Sequence, residues 1–268
     1  MDKTKIDWCD STWNPVTGCL YGCEYCYARN IAKRFGGAND GEIDYEGEAL
    51  WTFEGEENGE NHVIEMPYNF YSEDGEKVRK SPYPYYFDPT FHKYKLNEYE
   101  NKKGRNIFVC SMADLFGDWV PDDWIKEVFA ACEKVPQHNY LFLTKNPGRY
   151  VELINTGNLL GSNNVWYGYS VTKKGSAEWW NPDYNIFASV EPILEPMDVP
   201  RCKWLIIGAE TGNRKDKVIP KREWIEDIVN QCRESKIPVF MKSSLADIWG
   251  ETLIQEIPKA LQHMEGKK

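Results

Sequence analysis

Three cysteines lie within eight residues near the start of the chain, and their spacing is the feature of the sequence best suited to chemistry. Cys19, Cys23 and Cys26 form a C-x3-C-x2-C pattern. Cluster iron is normally held by four cysteine thiolates, and no fourth cysteine follows soon after this segment. The spacing therefore predicts a [4Fe-4S] cluster with three protein ligands and one iron open to a further ligand.

A structural zinc site is the alternative interpretation of the same cysteines. Zinc takes four cysteines, or three cysteines and one histidine, usually as two ligand pairs that are well separated in sequence. The chain has no second C-x2-C pair, which favours the cluster. The remaining candidate ligands are not paired at ligand spacing. They are Cys9, His92, Cys110, Cys132, Cys202 and Cys232.

Two of these other cysteines fall on apolar helix faces. Cys132 stands seven residues after Ile125, and Cys232 stands seven residues after Ile225, each with apolar residues at the intervening i+3 and i+4 positions. Free cysteine packs as a small hydrophobic residue. We therefore expect Cys132 and Cys232 in the core.

The length and composition fit one α/β barrel, with two small domains as the alternative. The chain has 268 residues, and 41% of them are hydrophobic, which is enough for a sizeable core. The first residues lack the apolar core of a signal peptide, and no run approaches the ~18 apolar residues of a membrane span. We expect a cytoplasmic protein without membrane contact, in which the eight cysteines form no disulfide framework.

The net charge of −10 comes from one stretch of the chain. Residues 38–80 contain thirteen acidic residues against three basic ones, so the remainder is balanced. We interpret this stretch as an acidic insertion after the first helix, forming a solvated excursion or a small hairpin layer. A lid or a protein-docking surface is the alternative. The balanced remainder gives little support to nucleic acid as a partner.

From residue 104 onward, short apolar runs alternate with polar loops and helical stretches, which is the pattern of βαβ units. The predicted helices cover residues 122–134, 147–155 and 221–235, and another around 27–35 follows the cysteines. Short connections of this kind predict a parallel sheet with right-handed crossovers. The predicted strands are 106–110, 140–144, 165–171, 186–190, 203–208 and 237–241, with one more before Cys19.

Polar or charged residues follow these predicted strands. In barrel folds the active site is built from the loops at the C-terminal face of the strands, so we expect these residues to share one rim with the cysteines. An unpaired carboxylate there is costly, which favours a ligand role for Glu191 and Glu210. Lys145 either binds substrate or neutralises one of these carboxylates. The set is Ser111, Asp114, Thr144, Lys145, Ser170, Glu191, Glu210, Lys242 and Ser243. For Ser111 or Ser243 alone, a helix N-cap is the alternative.

The cysteine spacing, with aromatic Tyr25 directly before the last cysteine, resembles the signature of the radical S-adenosylmethionine (SAM) superfamily. More closely, the chain resembles an uncharacterised phage-associated family with the same loop. The similar segments are residues 13–19, 108–116, 142–145, 189–192 and 208–212. Where that family commonly has Gly-Gly-Glu-Ser-Gly, residues 208–212 read Gly-Ala-Glu-Thr-Gly and keep the carboxylate. Its usual Lys-Gln is here Lys242-Ser243, which leaves a role for Gln without a counterpart.

The resemblance implies a partial parallel (β/α) barrel of the radical SAM type, as a single domain over residues 1–268, with the acidic insertion within it. It implies that the three cysteines bind the cluster, that SAM binds the open iron, and that reductive cleavage of SAM yields a 5′-deoxyadenosyl radical for hydrogen abstraction. The reduction requires a donor such as a flavodoxin or ferredoxin. A phage or prophage setting is also implied.

The resemblance also implies roles for single residues. Tyr25 would contact the adenine of SAM, and Ser111 and Asp114 would recognise its amino group. Contacts to the ribose or methionine part fall to Ser170 and Glu191. The substrate side falls to the remaining charged residues, which are Lys145, Glu210 and Lys242.

Three classes of function remain open. The first is a radical SAM enzyme acting on a nucleobase or small molecule. The second is a zinc-stabilised module that binds nucleic acid. The third is an interaction protein that holds the cluster without turnover and contacts a partner through the acidic insertion or its aromatic residues. The sequence has no Walker loop, H-E-x-x-H helix or G-x-G-x-x-G motif, so nucleotide hydrolysis, zinc proteolysis and dinucleotide-dependent redox chemistry have no motif to support them.

Overall fold

The computed structural model describes residues 4–36, 43–45, 48–50, 58–67, 69–71, 78–212 and 214–262, which form an α/β fold. The chain divides into two compact units. The sheet unit comprises Met1–Trp13, Asn101–Val109 and Cys132–Lys268, and the cysteine-loop unit comprises Asn14–Glu100 and Cys110–Ala131. The expectation of a single barrel domain over residues 1–268 stays a prediction.

The helices and strands of the described residues are numbered in chain order. The helices are α1 (Tyr27–Phe35), α2 (Asp122–Lys134), α3 (Gly148–Asn155), α4 (Arg222–Ser235) and α5 (Ala246–Trp249). The strands are β1 (Ser11–Trp13), β2 (Val16–Thr17), β3 (Ile43–Tyr45), β4 (Glu48–Leu50), β5 (His62–Ile64), β6 (Asn69–Tyr71), β7 (Val78–Lys80), β8 (Thr90–His92), β9 (Asn106–Val109), β10 (Asn139–Thr144), β11 (Val165–Ser170), β12 (Asn185–Val190), β13 (Trp204–Ile207) and β14 (Val239–Met241).

Seven strands of the sheet unit form one curled parallel sheet in the order β1-β9-β10-β11-β12-β13-β14. Every neighbouring pair is parallel, and within this unit the spatial order follows the chain order, as in barrels wound in one direction. Among the described strands, β1 and β14 do not pair with each other. The α/β class is confirmed and the sheet is consistent with a partial barrel.

One face of this sheet is filled by aromatic side chains from successive strands. The indole of Trp8 lies with its ring centroid 4.7 Å from that of Phe108 and 5.8 Å from that of Phe187. Trp204 is fully buried in the same cluster, and its Nε1 donates a hydrogen bond to the Glu256 carbonyl at 2.9 Å. A Cβ on Gly168 would lie 2.2 Å from the Phe187 ring, so large and small residues alternate to fill this face.

The predicted elements are confirmed with small shifts at their ends. The helix at 122–134 is found as predicted, whereas α3 begins after Pro147, which is its N-cap, and α4 begins one residue later than predicted. Strand β9 ends at Val109 because Cys110 has a left-handed backbone with φ of 57°. Strand β14 is shorter than predicted because Pro238 has no N–H for a sheet hydrogen bond.

The cysteines expected in the core are buried. Cys132 and Cys232 are buried on their helices, as predicted, and Cys110 and Cys202 are buried as well. Within the described ranges, no helix is both long and apolar enough to cross a membrane.

The cysteine-loop unit contains two small sheets. Strand β8 pairs with β2 in antiparallel and with β5 in parallel orientation. Four strands from the acidic insertion form an antiparallel sheet in the order β4-β3-β6-β7, which confirms the hairpin layer for these segments. Much of the acidic insertion lies outside the described residues.

The buried aromatic cluster predicts a large stability difference between two tryptophans of the sheet unit. Trp204→Ala removes a fully buried side chain and should cost about 3–5 kcal/mol in free energy of unfolding. Trp180→Ala should cost less than about 1 kcal/mol because this ring is exposed and contacts the Arg201 guanidinium. Urea unfolding followed by circular dichroism measures both variants, and equal losses would contradict the packing described.

Candidate functional site

The cysteine loop, residues 18–27, is fixed at its start by backbone contacts. Gly18 N donates a hydrogen bond to the Met112 carbonyl at 2.9 Å, and Cys19 N donates to the Phe87 carbonyl at 3.0 Å. Gly18 has a left-handed φ of 87°, and a Cβ on it would lie 2.0 Å from the Asp88 carbonyl oxygen. Only glycine fits this position, since both the conformation and the close approach exclude a side chain.

Asp88 connects the loop to the acidic insertion. Its carboxylate is fully buried and accepts hydrogen bonds from the backbone N–H groups of Asn58 and Gly59, both at 2.9 Å. His62 Nε2 lies 3.5 Å from the same carboxylate, and the His62 ring stacks on Tyr85 at a centroid distance of 3.7 Å. A buried carboxylate needs such donors, so residues 58–62 help to hold the segment against which Gly18 lies.

The last cysteine of the loop begins a helix. Cys26 is the N-cap of α1, and its Sγ accepts a hydrogen bond from Arg29 N at 3.4 Å. A helix N-terminus stabilises a thiolate because its free N–H groups and dipole favour negative charge. The Arg29 guanidinium lies over the Phe87 ring and donates to the Cys19 carbonyl at 2.9 Å. The first turn of α1 therefore contacts both the first and the last cysteine of the loop.

The thiol of Cys19 is in a place that disfavours negative charge. Burial is the main cause that raises the pKa of Cys19 to about 12, with contributions from the nearby Asp114, Cys26 and Cys23 and against the opposing effect of a hydrogen bond from the Tyr21 backbone. Asp114 is itself buried, with Oδ1 accepting the Phe116 N–H at 3.1 Å. A thiolate at Cys19 is therefore stable only beside a cation.

The three cysteine thiols of the loop are the type of ligand that binds an iron-sulfur cluster. Three half-buried thiols lie on one loop, one of them at a helix N-terminus, and no atom lies within 4 Å of the position that a Cβ would take on Gly22 between them. In the described part of the chain, no three His, Cys, Asp or Glu side chains converge as metal ligands. The cluster ligation by Cys19, Cys23 and Cys26 therefore stays a prediction that rests on ligand chemistry and spacing.

Ser111 and Asp114 lie in the same unit as the cysteines. The Ser111 hydroxyl donates to Asn14 Oδ1 at 3.1 Å, Met112 N donates to the same oxygen at 3.0 Å, and the Ser111 carbonyl accepts from the Tyr27 hydroxyl at 2.7 Å. The sequence interpretation missed Asn14 as a positioning residue, although it lies in the similar segment 13–19. Tyr25 is half-buried in the loop.

The other predicted site residues belong to the sheet unit and follow its strands. Ser170 is the last residue of β11, and the charged residues Lys145, Glu191, Glu210 and Lys242 come after β10, β12, β13 and β14. Because these strands are parallel neighbours, the five residues lie along one edge of the sheet. Their placement after the strands agrees with the sequence pattern, and their functional roles stay predictions.

Glu191 is held by the segments that follow the next two strands. Lys242 Nζ donates to Glu191 Oε1, and Lys242 N donates to the Ile207 carbonyl at 2.9 Å. A Cβ on Gly208 would lie 3.1 Å from the Glu191 carboxylate oxygen, so this glycine leaves room for the carboxylate. The partner of Glu191 is thus a cation of the chain itself.

Glu210 is paired in a different way. Arg214 Nε lies 2.7 Å from Oε1 and Arg214 Nη2 lies 2.9 Å from Oε2, while the Glu210 side chain is only 2% exposed. The hydrogen bonds from Arg214 hold the pKa of Glu210 below its ordinary value, against the opposing effect of burial. Arg214 was not predicted, since it lies in a loop without periodicity. The only sequence signal is a cation four residues after the carboxylate.

Comparison with known proteins gives a family but no activity. A family model described as "Protein of unknown function (DUF5131)" matches residues 3–268. No curated protein matches the chain. Among solved structures, a mutant of spore photoproduct lyase is similar with 12% sequence identity and a TM-score of 0.42, over 90% of this chain and 79% of that chain. This level of similarity does not establish a common fold or activity.

Two glycines of the cysteine loop predict opposite responses to the same substitution. Gly18→Ala forces a side chain into a left-handed position and against the Asp88 carbonyl, and should cost at least about 1–3 kcal/mol in stability. Gly22→Ala should change stability by less than about 0.5 kcal/mol because no atom lies within 4 Å of the added Cβ. Urea unfolding of both variants tests this. A Gly18→Ala variant as stable as the wild type would contradict the loop geometry.

The Glu210–Arg214 pair predicts a pH-dependent stability. A depressed carboxyl pKa stabilises the fold above the unfolded value of about 4.3, and this contribution is lost as the pH falls through the lower folded value. Arg214→Gln should therefore cost about 1.5–3 kcal/mol at pH 7, and its difference from the wild type should shrink toward pH 3. Urea unfolding at both pH values measures this.

The exposed Asp123–Lys126 pair provides the control. Lys126→Gln should change stability by less than about 1 kcal/mol at either pH. If Arg214→Gln loses as little stability as Lys126→Gln, or if its loss of stability is as large at pH 3 as at pH 7, the result would contradict a buried charged pair at Glu210.

Proposed function

We propose that this chain, which belongs to the DUF5131 family of proteins of unknown function, is a radical SAM enzyme with an unidentified substrate. The observation that carries the proposal is the C-x3-C-x2-C loop, whose last cysteine caps α1. When bound, a [4Fe-4S] cluster with SAM on its open iron supplies one-electron cleavage of SAM and, through it, hydrogen abstraction from a substrate. Every other role in the proposed reaction belongs to a residue of the chain.

The ligands of the cluster in this proposal are Cys19, Cys23 and Cys26. The fixed start of the loop supports this, since Gly18 and Cys19 are held by backbone hydrogen bonds. The N-cap position of Cys26 places the partial positive charge of the α1 N-terminus beside its thiolate, and the Arg29 guanidinium holds the Cys19 backbone through its carbonyl. Half-burial of the three thiols limits access of water to the bound group.

Recognition of SAM falls first to residues of the cysteine-loop unit. The buried Asp114 carboxylate is suited to the positively charged amino group, because an ammonium is a good partner for a desolvated carboxylate. Asn14 orients Ser111 for the same group through a 3.1 Å hydrogen bond. Tyr25 contacts the adenine with its ring.

The sheet edge supplies the remaining roles in this proposal. Ser170 and Glu191 bind the ribose or methionine part of SAM, and Lys145, Glu210 and Lys242 face the substrate. The Lys242–Glu191 and Arg214–Glu210 pairs support these roles, since they hold both carboxylates in fixed orientations. Glu210 would then act as a fixed acceptor for a donor group of the substrate.

The setting of the reaction is also part of the proposal. We place it in the cytoplasm of a phage-infected or prophage-carrying cell, with a nucleobase or small molecule as substrate and a protein reductant. The balanced charge outside residues 38–80 gives no support to a long nucleic-acid surface. Small substrates are therefore better supported than a long nucleic acid.

The test is SAM cleavage by the anaerobically reconstituted, dithionite-reduced protein. We expect about four irons per chain, a brown chromophore and formation of 5′-deoxyadenosine, because three thiolates and SAM complete the cluster coordination. Cys23→Ala should lose both the iron and the product, while Cys132→Ala, which removes a buried cysteine of α2, should retain both. Stoichiometric zinc without iron uptake would contradict the proposal and favour the zinc module.

A stable, reducible cluster without product leads to a second measurement. SAM binding to that protein is followed by the change in the electron paramagnetic resonance spectrum of the reduced cluster. No spectral change on adding SAM would favour the interaction protein that holds a cluster without turnover.

A further inference from the structure

A cavity of about 300 Å³ opens in the sheet unit at the amino ends of β11 and β12. Its volume is at the lower end of the range for small-molecule sites. One wall comes from residues 161–163, before β11, and the other from the segment 181–185, which leads into β12. Ser170 and Glu191 stand at the carboxyl ends of the same strands, roughly 17–20 Å away at 3.3 Å per residue. The cavity is therefore separate from the predicted site residues of the sheet edge.

Asn185, the first residue of β12, joins the two walls of the cavity. Its Nδ2 donates hydrogen bonds to the carbonyls of Asn163 at 3.0 Å and Val165 at 3.3 Å. Because both N–H groups of this amide are used by the chain, its oxygen is the group suited to a ligand. Asn164 Nδ2 donates to the His138 carbonyl at 2.7 Å and fixes the first wall to the segment before β10. The chain itself thus holds the walls in place, which lowers the cost of binding.

The second wall is a turn that Asn181 closes. Asn181 Oδ1 accepts a hydrogen bond from Asp183 N at 3.0 Å, and the Asn181 carbonyl accepts from Tyr184 N at 3.2 Å. A side-chain oxygen that bonds the backbone two residues further on forms an Asx-turn. Since the Asn181 oxygen is used in this way, its amide N–H groups are the part suited to a ligand. Lys203 Nζ donates to the Pro182 carbonyl at 3.0 Å and fastens the turn to the segment before β13.

The lining also contains an aromatic ring and a carboxylate. The Tyr184 ring centroid lies 5.8 Å from that of Tyr167 and 5.5 Å from that of Trp179, so neighbouring rings hold the half-buried phenol in place. Asp183, next to Tyr184, is exposed. None of the described residues that line the cavity is basic. These residues therefore combine an aromatic ring with hydrogen-bond donors and acceptors but hold no cation for an anionic ligand.

We propose that this cavity is a binding site for a neutral monosaccharide unit, either free or as part of a larger glycoside. The hydroxyl groups of a sugar both donate and accept, which suits the Asn185 oxygen, the Asn181 N–H groups and the Asp183 carboxylate. The C–H face of a sugar ring is apolar and suits the Tyr184 ring. A fully apolar ligand would leave the amides unpaired at a cost, and an anionic ligand would meet the carboxylate. The inference does not depend on the proposed SAM reaction.

Saturation-transfer difference NMR on the whole chain tests the proposal, with methyl glucoside, methyl galactoside and methyl mannoside as probes. We expect at least one of them to bind with a Kd of about 1 mM, since a few hydrogen bonds in an open cavity correspond to an affinity of this order. The uronic acid of the sugar that binds should bind at least about tenfold more weakly, because its carboxylate meets that of Asp183. No signal from any of the three glycosides would overturn the proposal. Binding of glucosamine alone would also overturn it, since the cavity would then select a cation.

Gly161 offers a variant that fills the cavity. Its backbone is not left-handed, and no atom of the described residues lies within 4 Å of the position that a Cβ would take. Gly161→Phe should therefore fold as the wild type does, which circular dichroism checks, and should lose the sugar signal because its ring occupies the cavity. Gly161→Ala adds one methyl group and should bind the sugar as the wild type does. A folded Gly161→Phe that still binds would show that the sugar lies elsewhere.

A change of Asp183 tests the polar contacts. Asp183→Asn keeps the shape of the side chain and removes its charge, and it should weaken sugar binding by about tenfold because hydrogen bonds to charged groups are the stronger ones. Asp198→Asn makes the same change at an exposed residue of the sheet unit outside the cavity and should bind the sugar as the wild type does. Equal binding by the two variants would contradict the proposed mode of binding.

The failures of this inference and of the proposed function are distinguishable. Sugar binding requires neither the cluster nor SAM, so the NMR result is independent of SAM cleavage. Because the cavity and the sheet-edge residues lie at opposite ends of the strands, Gly161→Phe should keep the iron content and the 5′-deoxyadenosine formation of the wild type. Loss of SAM cleavage in a folded Gly161→Phe would overturn the inference of a separate site.

Discussion

Parallel hydrogen bonding between strands taken in chain order is the constraint on which the sheet unit depends. Each strand from β9 to β14 pairs with the one before it in the sheet, so each strand is followed by a crossing segment that returns the chain to the opposite edge. All loops that follow strands therefore leave from one edge. This topology places Lys145, Glu191, Glu210 and Lys242 at that edge, whatever contacts their side chains make.

Within the cysteine-loop unit the equivalent constraint is a close approach of two backbones. Gly18 lies against the Asp88 carbonyl at a distance that no side chain permits, and the Asp88 carboxylate is in turn enclosed by N–H groups of residues 58 and 59. The start of the loop is thus rigid, whereas Gly22 in its middle faces open space. A loop whose first ligand is held in place in this way is suited to enclosing a metal group.

The two carboxylates of the sheet edge illustrate how a charged site is kept within an apolar structure. Burying a charge is costly unless it is paired, and each carboxylate has its own partner, Lys242 for Glu191 and Arg214 for Glu210. Arginine binds with two parallel hydrogen bonds and fixes both oxygens, whereas lysine binds as a point charge and leaves one oxygen available. Glu191 is accordingly the more adaptable of the two groups.

The sequence alone determined the features that depend on local pattern. Helix periodicity identified α2, α4 and the buried Cys132 and Cys232, because residues on one helix face recur every three or four positions. The cysteine spacing predicted the type of ligand, and the strand-loop alternation predicted the parallel sheet. Only the tertiary structure decided which partners meet. Asn14 and Ser111 are 97 residues apart and Glu191 and Lys242 are 51 apart, so their pairing depends on how the chain folds back on itself, which local periodicity does not encode.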